Sequence, residues 1–263
     1  MSTVDTMLEK YQPGDMDVLV LPEMAFTGYV FKTLEEIAPY LEDPEHGPSV
    51  TWAKRQAIRL KCYVIVGYPE TVTDASGSNV NYNSLCCVDP TGNLVKTYRK
   101  AFLFETDEGW AEEGPGFSVM DIDEFGKVGF GICMDVNPYQ FKSDFRAFEF
   151  ANYHVEQKTD VIFCCMSWLQ SSTDKDIPVK ETERTSVLKI INYWAMRLLP
   201  IYEHNQSNPR HTYFVAANRT GSERGSNFAG GSCVLDICSS SMQLLGYLSK
   251  TEQSILIVDT EEP

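Results

Sequence analysis

Short apolar runs alternate with amphipathic segments along most of the chain. Where the apolar residues are continuous rather than alternating, we predict buried strands. We predict the end of a helix at 2–10, an amphipathic helix at 49–60 with Ser49 as N-cap, and a helix near 145–157. Strands and helices in this order indicate an α/β protein whose sheets are covered by helices. The predicted strands are 17–22, 62–68, 82–88, 94–98, 127–132, 161–166, 212–216, 231–237 and 254–258.

The stretch 171–209 breaks this pattern. It is charged in its first half and carries an apolar run in its second half. A long segment of this kind inside a compact domain is usually functional or partly disordered. We interpret it as an insertion within one domain that spans residues 1–263.

The composition excludes several classes of partner. A net charge of −15 disfavours nucleic acid and anionic membrane surfaces. No window is apolar enough to span a membrane, and the N-terminal residues lack a secretory pattern. The eight cysteines include no C-x-x-C pair, and the four histidines are not at ligand spacing. We therefore expect reduced thiols, no metal, and a cytoplasmic or nuclear protein, and we predict no particular oligomeric state.

Three reactive side chains, Glu23, Lys100 and Cys133, each come directly after an apolar strand. By itself, Cys133 would be interpreted as a small buried hydrophobic residue. However, a nucleophile at a strand end projects into a cleft, and if the three strands are neighbours the three side chains meet there. A carboxylate moves protons, an ammonium stabilises an oxyanion beside the N–H of Met134, and a thiolate forms a covalent adduct. This combination predicts hydrolysis of a C–N bond through a thioester.

The same residues resemble the three signatures of the nitrilase superfamily, in order and spacing. These are Pro22-Glu23, Tyr98-Arg99-Lys100 and the run 131–135 around Cys133. Longer stretches, at 21–29, 131–139, 192–200 and 217–219, resemble the fungal protein N-terminal amidases. The resemblance implies a nitrilase-like α-β-β-α sandwich. The superfamily normally begins with an apolar strand, whereas this sequence starts inside the following helix, so we expect the usual first strand to be absent.

The resemblance also implies roles for the residues. Cys133 is the implied nucleophile, Glu23 the general base and Lys100 the cation that stabilises the oxyanion. The implied reaction converts an N-terminal Asn or Gln of a protein or peptide to Asp or Glu. It releases ammonia, needs no metal or organic cofactor, and feeds the arginylation branch of the N-degron pathway.

Other positions leave alternatives open. A second catalytic glutamate is expected at Glu112 or Glu113, and we prefer Glu112. Asp135 is predicted to pair with the α-ammonium of the substrate, or else to cap the turn after Cys133. Trp168 is predicted to line the substrate pocket, or else to be a core aromatic residue.

Two other functions compete with this interpretation. One is a small-molecule ω-amidase of the same superfamily, which the stretch 171–209 disfavours. The other is a non-catalytic binding module, which the intact Glu23, Lys100 and Cys133 disfavour.

The histidines also argue against a papain-like enzyme, which needs a histidine near its nucleophile. We assign surface or structural roles to all four histidines, His46, His154, His204 and His211, so this class is disfavoured.

Overall fold

The computed structural model describes residues 1–170 and 179–260. The chain divides into two compact units, Met1–Gly116 and Phe117–Pro263, and each unit is built around its own main β-sheet. Helices and strands alternate along the chain, so the prediction of an α/β protein is confirmed. In these described ranges, no helix combines the length and the apolar character needed to cross a membrane.

The first unit contains a four-stranded sheet in the order β1-β2-β3-β4, where β1 runs parallel to β2 and the other pairs are antiparallel. The helix that precedes β2 packs against β2 and β3. The predicted strands of this unit are found at their expected places. The elements are α1 (Ser2–Leu8), β1 (Val18–Val20), α2 (Leu34–Ile37), α3 (Pro48–Leu60), β2 (Tyr63–Thr73), β3 (Asn79–Val88) and β4 (Leu94–Arg99).

The start of α3 differs from the prediction. Ser49 is not the N-cap, because the helix begins at Pro48 and Gly47 precedes it as the cap. Proline is favoured at a first helical position, where its missing N–H and fixed φ cost nothing. Ser49 is instead fully buried, and its N–H and hydroxyl donate to the carboxylate of Glu42 at 2.7 and 2.8 Å.

The second unit contains a six-stranded sheet in the order β12-β11-β8-β7-β6-β5. The central strands β6, β7 and β8 are parallel, and the outer pairs are antiparallel. A small antiparallel pair, β9 and β10, lies apart from this sheet. The elements are β5 (Val119–Ile122), β6 (Gly126–Ile132), α4 (Glu149–Gln157), β7 (Val161–Met166), α5 (Val179–Arg197), α6 (Leu199–Ser207), β8 (Thr212–Asn218), β9 (Ser222–Glu223), β10 (Ser226–Asn227), β11 (Cys233–Ile237) and β12 (Met242–Tyr247).

Two predictions for this unit need correction, and two edge strands were missed. The segment 254–258 is not a strand, because Leu256 and Val258 pack their side chains over Gly246 of β12 instead of joining the sheet. The edge strands β5 and β12 were not predicted, since their partly exposed residues form no continuous apolar run. The helix expected near 145–157 begins only at Glu149, after Phe148 adopts a left-handed φ of 47°. Of the stretch 171–209, residues 171–178 lie outside the described ranges, and α5 and α6 occupy most of the rest.

Glycines in β6 let α4 pack directly on the strand backbone. A Cβ atom on Gly131 would lie 2.8 Å from the Phe150 ring, and one on Gly129 would lie 2.7 Å from Nδ1 of His154. Phe150 and His154 are four residues apart, so they share one face of α4. Both side chains are buried. Strand β6, which precedes Cys133, is therefore covered by the closely packed helix α4.

Candidate active site

Glu23 follows β1 on a segment that passes close to the backbone of β2. Gly67 provides the space, since a Cβ atom there would lie 2.6 Å from Cα of Glu23. The N–H of Ala25 donates to Gly67 O at 3.0 Å, and the N–H of Gly67 donates to Pro22 O at 3.3 Å. Met24 has a left-handed φ of 50°, so the chain turns directly after Glu23. These constraints fix the backbone from which the Glu23 carboxylate projects.

The ammonium group of Lys100, directly after β4, contacts two carboxylates in the first unit. Its Nζ lies 2.7 Å from Oε1 of Glu23 and 2.5 Å from Oδ2 of Asp107. The side-chain amide of Asn83 donates to the same two acids, at 2.8 and 3.1 Å. All four side chains are buried, with 0–1 % of their surface exposed. Glu23 and Lys100 therefore form a direct buried ion pair.

Asp107 is the acid that the sequence reasoning missed. Its Oδ2 also accepts a hydrogen bond from the N–H of Phe104 at 3.0 Å, which holds the loop after Lys100 in a turn. Glu112 and Glu113 are exposed, and Glu112 donates its backbone N–H to Asn81 O at 2.8 Å. The role of Glu112 stays a prediction, whereas the second carboxylate on Lys100 belongs to Asp107. The turn signal Asp107-Glu108-Gly109, soon after the lysine, was the available clue.

The charges of this cluster favour a proton on Glu23. Burial raises the pKa of Glu23, the Lys100 ammonium opposes that rise, and the Asp107 carboxylate reinforces it. Two formal negative charges face one positive charge in a buried site. A carboxyl group in such surroundings holds its proton to higher pH than an exposed glutamate does. This property suits a general acid and base near neutral pH.

Cys133 belongs to the second unit and directly follows β6. It opens a 3₁₀ turn, Cys133–Val136, and its own φ is 40°, in the left-handed region. A sharp turn of this kind at a strand end points a nucleophile away from the sheet. Met134 lies in the first turn, where backbone N–H groups lack an intrahelical acceptor. The role of its N–H as an oxyanion donor stays a prediction.

Asp135 is fully buried in the same turn. Its Oδ2 accepts a hydrogen bond from the N–H of Ile132 at 2.8 Å, which is the capping role that the sequence left as an alternative. Recognition of a substrate ammonium by Asp135 stays a prediction. Burial, and then the charge of Asp135, hold the pKa of the neighbouring Cys164 thiol well above its usual range. Cys164 is therefore protonated at neutral pH.

Helix α5 fixes the chain that follows Cys133. The guanidinium of Arg197 donates through Nε to Val136 O at 2.8 Å and through Nη1 to Phe145 O. The hydroxyl of Tyr193 donates to Oδ1 of Asn137 at 2.7 Å. The sequence motif 192–200 thus contributes contacts that hold the turn after Cys133, a role that the pattern alone did not indicate.

Trp168 packs on the same helix. Its ring centroid lies 5.6 Å from that of Tyr193 and 5.7 Å from that of Trp194. Its backbone N–H donates to Oδ1 of Asn218 at 2.8 Å, and Asn218 in turn donates to Gly230 O at 2.6 Å. Trp168 is partly exposed, and its role as a wall of the substrate pocket stays a prediction.

Comparison with known proteins identifies the family. The sequence profile of the family Carbon-nitrogen hydrolase matches residues 1–138, more than half of the chain. The chain belongs to the carbon-nitrogen hydrolase family. The protein N-terminal amidase of Schizosaccharomyces pombe is 36% identical over 259 residues, which cover 93% of this chain and 87% of that protein. The protein N-terminal amidase of Saccharomyces cerevisiae is also 36% identical, over 178 residues that cover 61% of this chain and 38% of that protein.

The chain is also similar to an amidase that is named for a small-molecule substrate. The 2-oxoglutaramate amidase of Bacillus subtilis is 28% identical over 222 residues, covering 84% of this chain and 70% of that enzyme. A crystal structure of N-terminal amidase with an Asn-Glu-Ala peptide has a TM-score of 0.77 at 23% identity, over 95% of this chain and 90% of that one. The structure with a Gln-Val peptide has a TM-score of 0.76 at 22% identity, with the same coverage. The predicted nitrilase-like fold and C–N hydrolase class are confirmed.

Proposed function

We propose that this carbon-nitrogen hydrolase is a protein N-terminal amidase. It converts an N-terminal Asn or Gln of a protein or peptide to Asp or Glu and releases ammonia, as in the N-degron pathway. The observation that carries this proposal is the 36% identity to the S. pombe protein N-terminal amidase over 93% of the chain. Solved structures of the same fold contain peptides that begin with Asn or Gln, which supports the choice of substrate.

The proposed mechanism uses Glu23, Lys100 and Cys133 together. Glu23 takes the proton of the Cys133 thiol as Sγ attacks the amide carbon. The Lys100 ammonium and the Met134 N–H stabilise the tetrahedral oxyanion. Glu23 then returns the proton to the leaving nitrogen, so that the C–N bond breaks and ammonia leaves a thioester.

Hydrolysis of the thioester completes the cycle. Glu23 deprotonates a water molecule, whose oxygen attacks the thioester carbon, and the carboxylic acid product leaves as the thiol is restored. No metal or organic cofactor takes part in this proposal. The buried pair of Glu23 and Lys100 and the left-handed turn at Cys133 support these roles. Glu112 stays our candidate for a further catalytic glutamate.

Substrate selection requires a group that internal residues lack. Internal Asn and Gln carry the same side-chain amide, so only the α-ammonium distinguishes the N-terminal residue. We propose that Asp135 pairs with this ammonium and that Trp168 lines the pocket. An acetylated terminus or an internal residue would leave the buried acid without its cation, which costs on the order of several kcal/mol.

Ammonia release from peptides tests this proposal. An Asn-initiated peptide with a free terminus should be hydrolysed, whereas its acetylated counterpart should not, and Cys133→Ala should hydrolyse neither. Asp135→Asn should mainly slow hydrolysis of the free peptide. Equal rates of the wild type on both peptides would show that the amine is not recognised. A loss on acetylation that Asp135→Asn leaves unchanged would assign the ammonium to another acid.

A second candidate is an ω-amidase of small molecules, favoured by the identity to the B. subtilis enzyme. The substrate 2-oxoglutaramate has an amide but no ammonium, so it separates the two functions. Under our proposal, its kcat/KM should fall well below that of the Asn-peptide. A reversed order would favour the ω-amidase, and hydrolysis of neither substrate would favour a binding module.

We also propose a cytoplasmic or nuclear location. All eight cysteines are buried and outside any disulfide bond, which supports a reducing compartment. The net charge of −15 disfavours contact with nucleic acid or anionic membrane surfaces. Imaging of the tagged chain in living cells checks the location, and a signal confined to the secretory pathway would contradict it.

A further inference from the structure

Three side chains of types that can ligate metals lie close together, at the start of β8 and the end of β11. A ring nitrogen of His211, a carboxylate oxygen of Asp236 and Sγ of Cys238 all lie within 4.8 Å of one another. Strands β8 and β11 are antiparallel neighbours, in which Asp236 pairs with Tyr213 and Ile237 with Thr212. The register of the sheet therefore brings the three residues together.

We infer that His211, Asp236 and Cys238 form a binding site for a divalent transition metal ion such as zinc. Thiolate, imidazole and carboxylate are the ligand types that zinc takes, whereas magnesium and calcium prefer oxygen ligands alone. Nδ1 of His211 already lies 2.9 and 3.0 Å from the two carboxylate oxygens of Asp236. The ligand atoms of a tetrahedral zinc ion stand roughly 3.3–3.6 Å apart, so side-chain shifts on the order of 1 Å complete the site.

The surroundings of the three residues allow an ion to enter and be held. The His211 side chain is 57% exposed and that of Asp236 is 10% exposed, so one side of the site is open to water. Three protein ligands and one water molecule would complete a four-coordinate ion. Ser240 and Ser241 place their hydroxyls 3.2 and 3.7 Å from Sγ of Cys238. Hydrogen bonds of this kind orient a ligating sulfur and stabilise its charge.

The site is separate from the proposed reaction. None of its residues belongs to the nitrilase-like motifs, and the proposed mechanism uses no metal. No sequence motif marks this site, because the histidine stands 25 residues before the aspartate and no ligand motif has that spacing. Zinc binding here is therefore a property additional to amide hydrolysis.

Zinc titration by calorimetry tests the inference, with thermal melting to confirm that each variant is folded. The wild type should bind one zinc ion at this site. Cys238→Ser and the exposed His211→Asn should each weaken binding by at least about 100-fold, because outer-shell partners alone contribute about 10–100-fold. His46→Asn is a matched control. Nδ1 of His46 lies 3.2 Å from Oδ1 of Asp43, but within the described ranges no cysteine joins this pair.

Cobalt substitution distinguishes the two candidate thiols. Cobalt bound to a thiolate gives a charge-transfer absorption, which Cys238→Ser should remove and Cys133→Ala should keep. Cys238→Ser should also hydrolyse the Asn-peptide at the wild-type rate. The inference is overturned if no zinc binds, if Cys238→Ser and His211→Asn retain wild-type affinity, or if Cys133→Ala alone removes the absorption.

Discussion

The carboxylate of Asp107 lies 2.5 Å from Nζ of Lys100, while the same ammonium lies 2.7 Å from Glu23. One buried cation thus serves two buried anions. The positive charge cannot fully compensate both carboxylates, so the charge of Asp107 adds to burial in raising the pKa of Glu23. In the proposed reaction, this arrangement keeps Glu23 able to carry a proton between thiol, leaving group and water. Asp107 then acts as a positioning residue that raises the pKa of the proposed base, Glu23.

Asp107→Asn should shift the pH dependence of the reaction. Removal of this negative charge lowers the pKa of Glu23, so the acidic limb of kcat/KM should move to lower pH. The measurement is a pH–rate profile on an Asn-peptide, with Glu108→Gln at the exposed neighbouring position as control. An unchanged limb in Asp107→Asn, or an equal shift in Glu108→Gln, would remove Asp107 from this role.

The two members of the ion pair should differ in their effects on stability. Glu23→Gln and Lys100→Ala should each slow turnover on the order of 10²–10⁴-fold. Only Lys100→Ala leaves two buried carboxylates without their cation, so it should also lower the free energy of unfolding by about 3–5 kcal/mol. Turnover and urea unfolding are measured in parallel. Near-normal turnover in folded Glu23→Gln would contradict its assignment as the base.

Gly67→Ala should displace Glu23 without touching its side chain. The added Cβ would lie 2.6 Å from Cα of Glu23, so the backbone must shift. We expect a loss of about 1–3 kcal/mol in stability and at least a tenfold fall in kcat. Gly77→Ala is the control, since its φ of 86° disfavours alanine but nothing lies within 4 Å of the added atom. Both variants should lose stability, but only Gly67→Ala should lose kcat.

Arg197→Lys should loosen the turn that follows Cys133. A lysine cannot donate to Val136 O and Phe145 O in the fixed planar geometry of a guanidinium. We expect kcat to fall about tenfold and stability to fall by about 1–3 kcal/mol, because a buried carbonyl loses its donor. Arg146→Lys, at an exposed position nearby, should change neither quantity. Equal behaviour of the two variants would contradict the role of Arg197.

His154 should make folding sensitive to acid. Its Nδ1 lies 3.0 Å from the hydroxyl of Thr159, and burial lowers its pKa from 6.5 to about 3. The unfolded chain therefore binds a proton between these values that the folded chain does not, so stability falls as the pH drops through this range. From about pH 7.5 to about pH 5, this group should cost about 2 kcal/mol.

Urea unfolding of the wild type and His154→Gln at both pH values checks this expectation. The variant should lose about 2 kcal/mol less than the wild type on acidification, because glutamine does not titrate. His46→Gln, at an exposed position, should behave as the wild type does. An identical pH dependence in wild type and His154→Gln would show that His154 is charged in the folded protein.

The parts of the fold that the sequence predicted correctly share one physical feature. Strands such as β2, β6 and β7 are buried along nearly their whole length, so a continuous apolar run marks them. The edge strand β12 is half exposed and leaves no such run. The N-cap at Ser49 was misplaced because Glu42, a residue outside the helix, takes its hydroxyl.

The candidate site was predictable only where a motif follows a strand. Glu23 and Cys133 are each marked by the end of an apolar run, and Lys100 follows the short strand β4. Asp107 has no such mark, because its contact with Lys100 depends on a loop turning back. Asp236 is equally unmarked, since strand register alone brings it close to His211. Long-range pairing of this kind cannot be derived from local patterns.

The close packing of α4 on Gly129 and Gly131 of β6 affects how water reaches the backbone of the sheet. The backbones of Gly129 and Gly131 lie under His154 and Phe150, and both glycines pair with β7, so we expect their amide hydrogens to be protected from water. Deuterium should replace these hydrogens only in states where the helix has lifted from the strand. Because Cys133 directly follows that strand, the exchange rate at Gly131 reports how often the support of the proposed nucleophile opens.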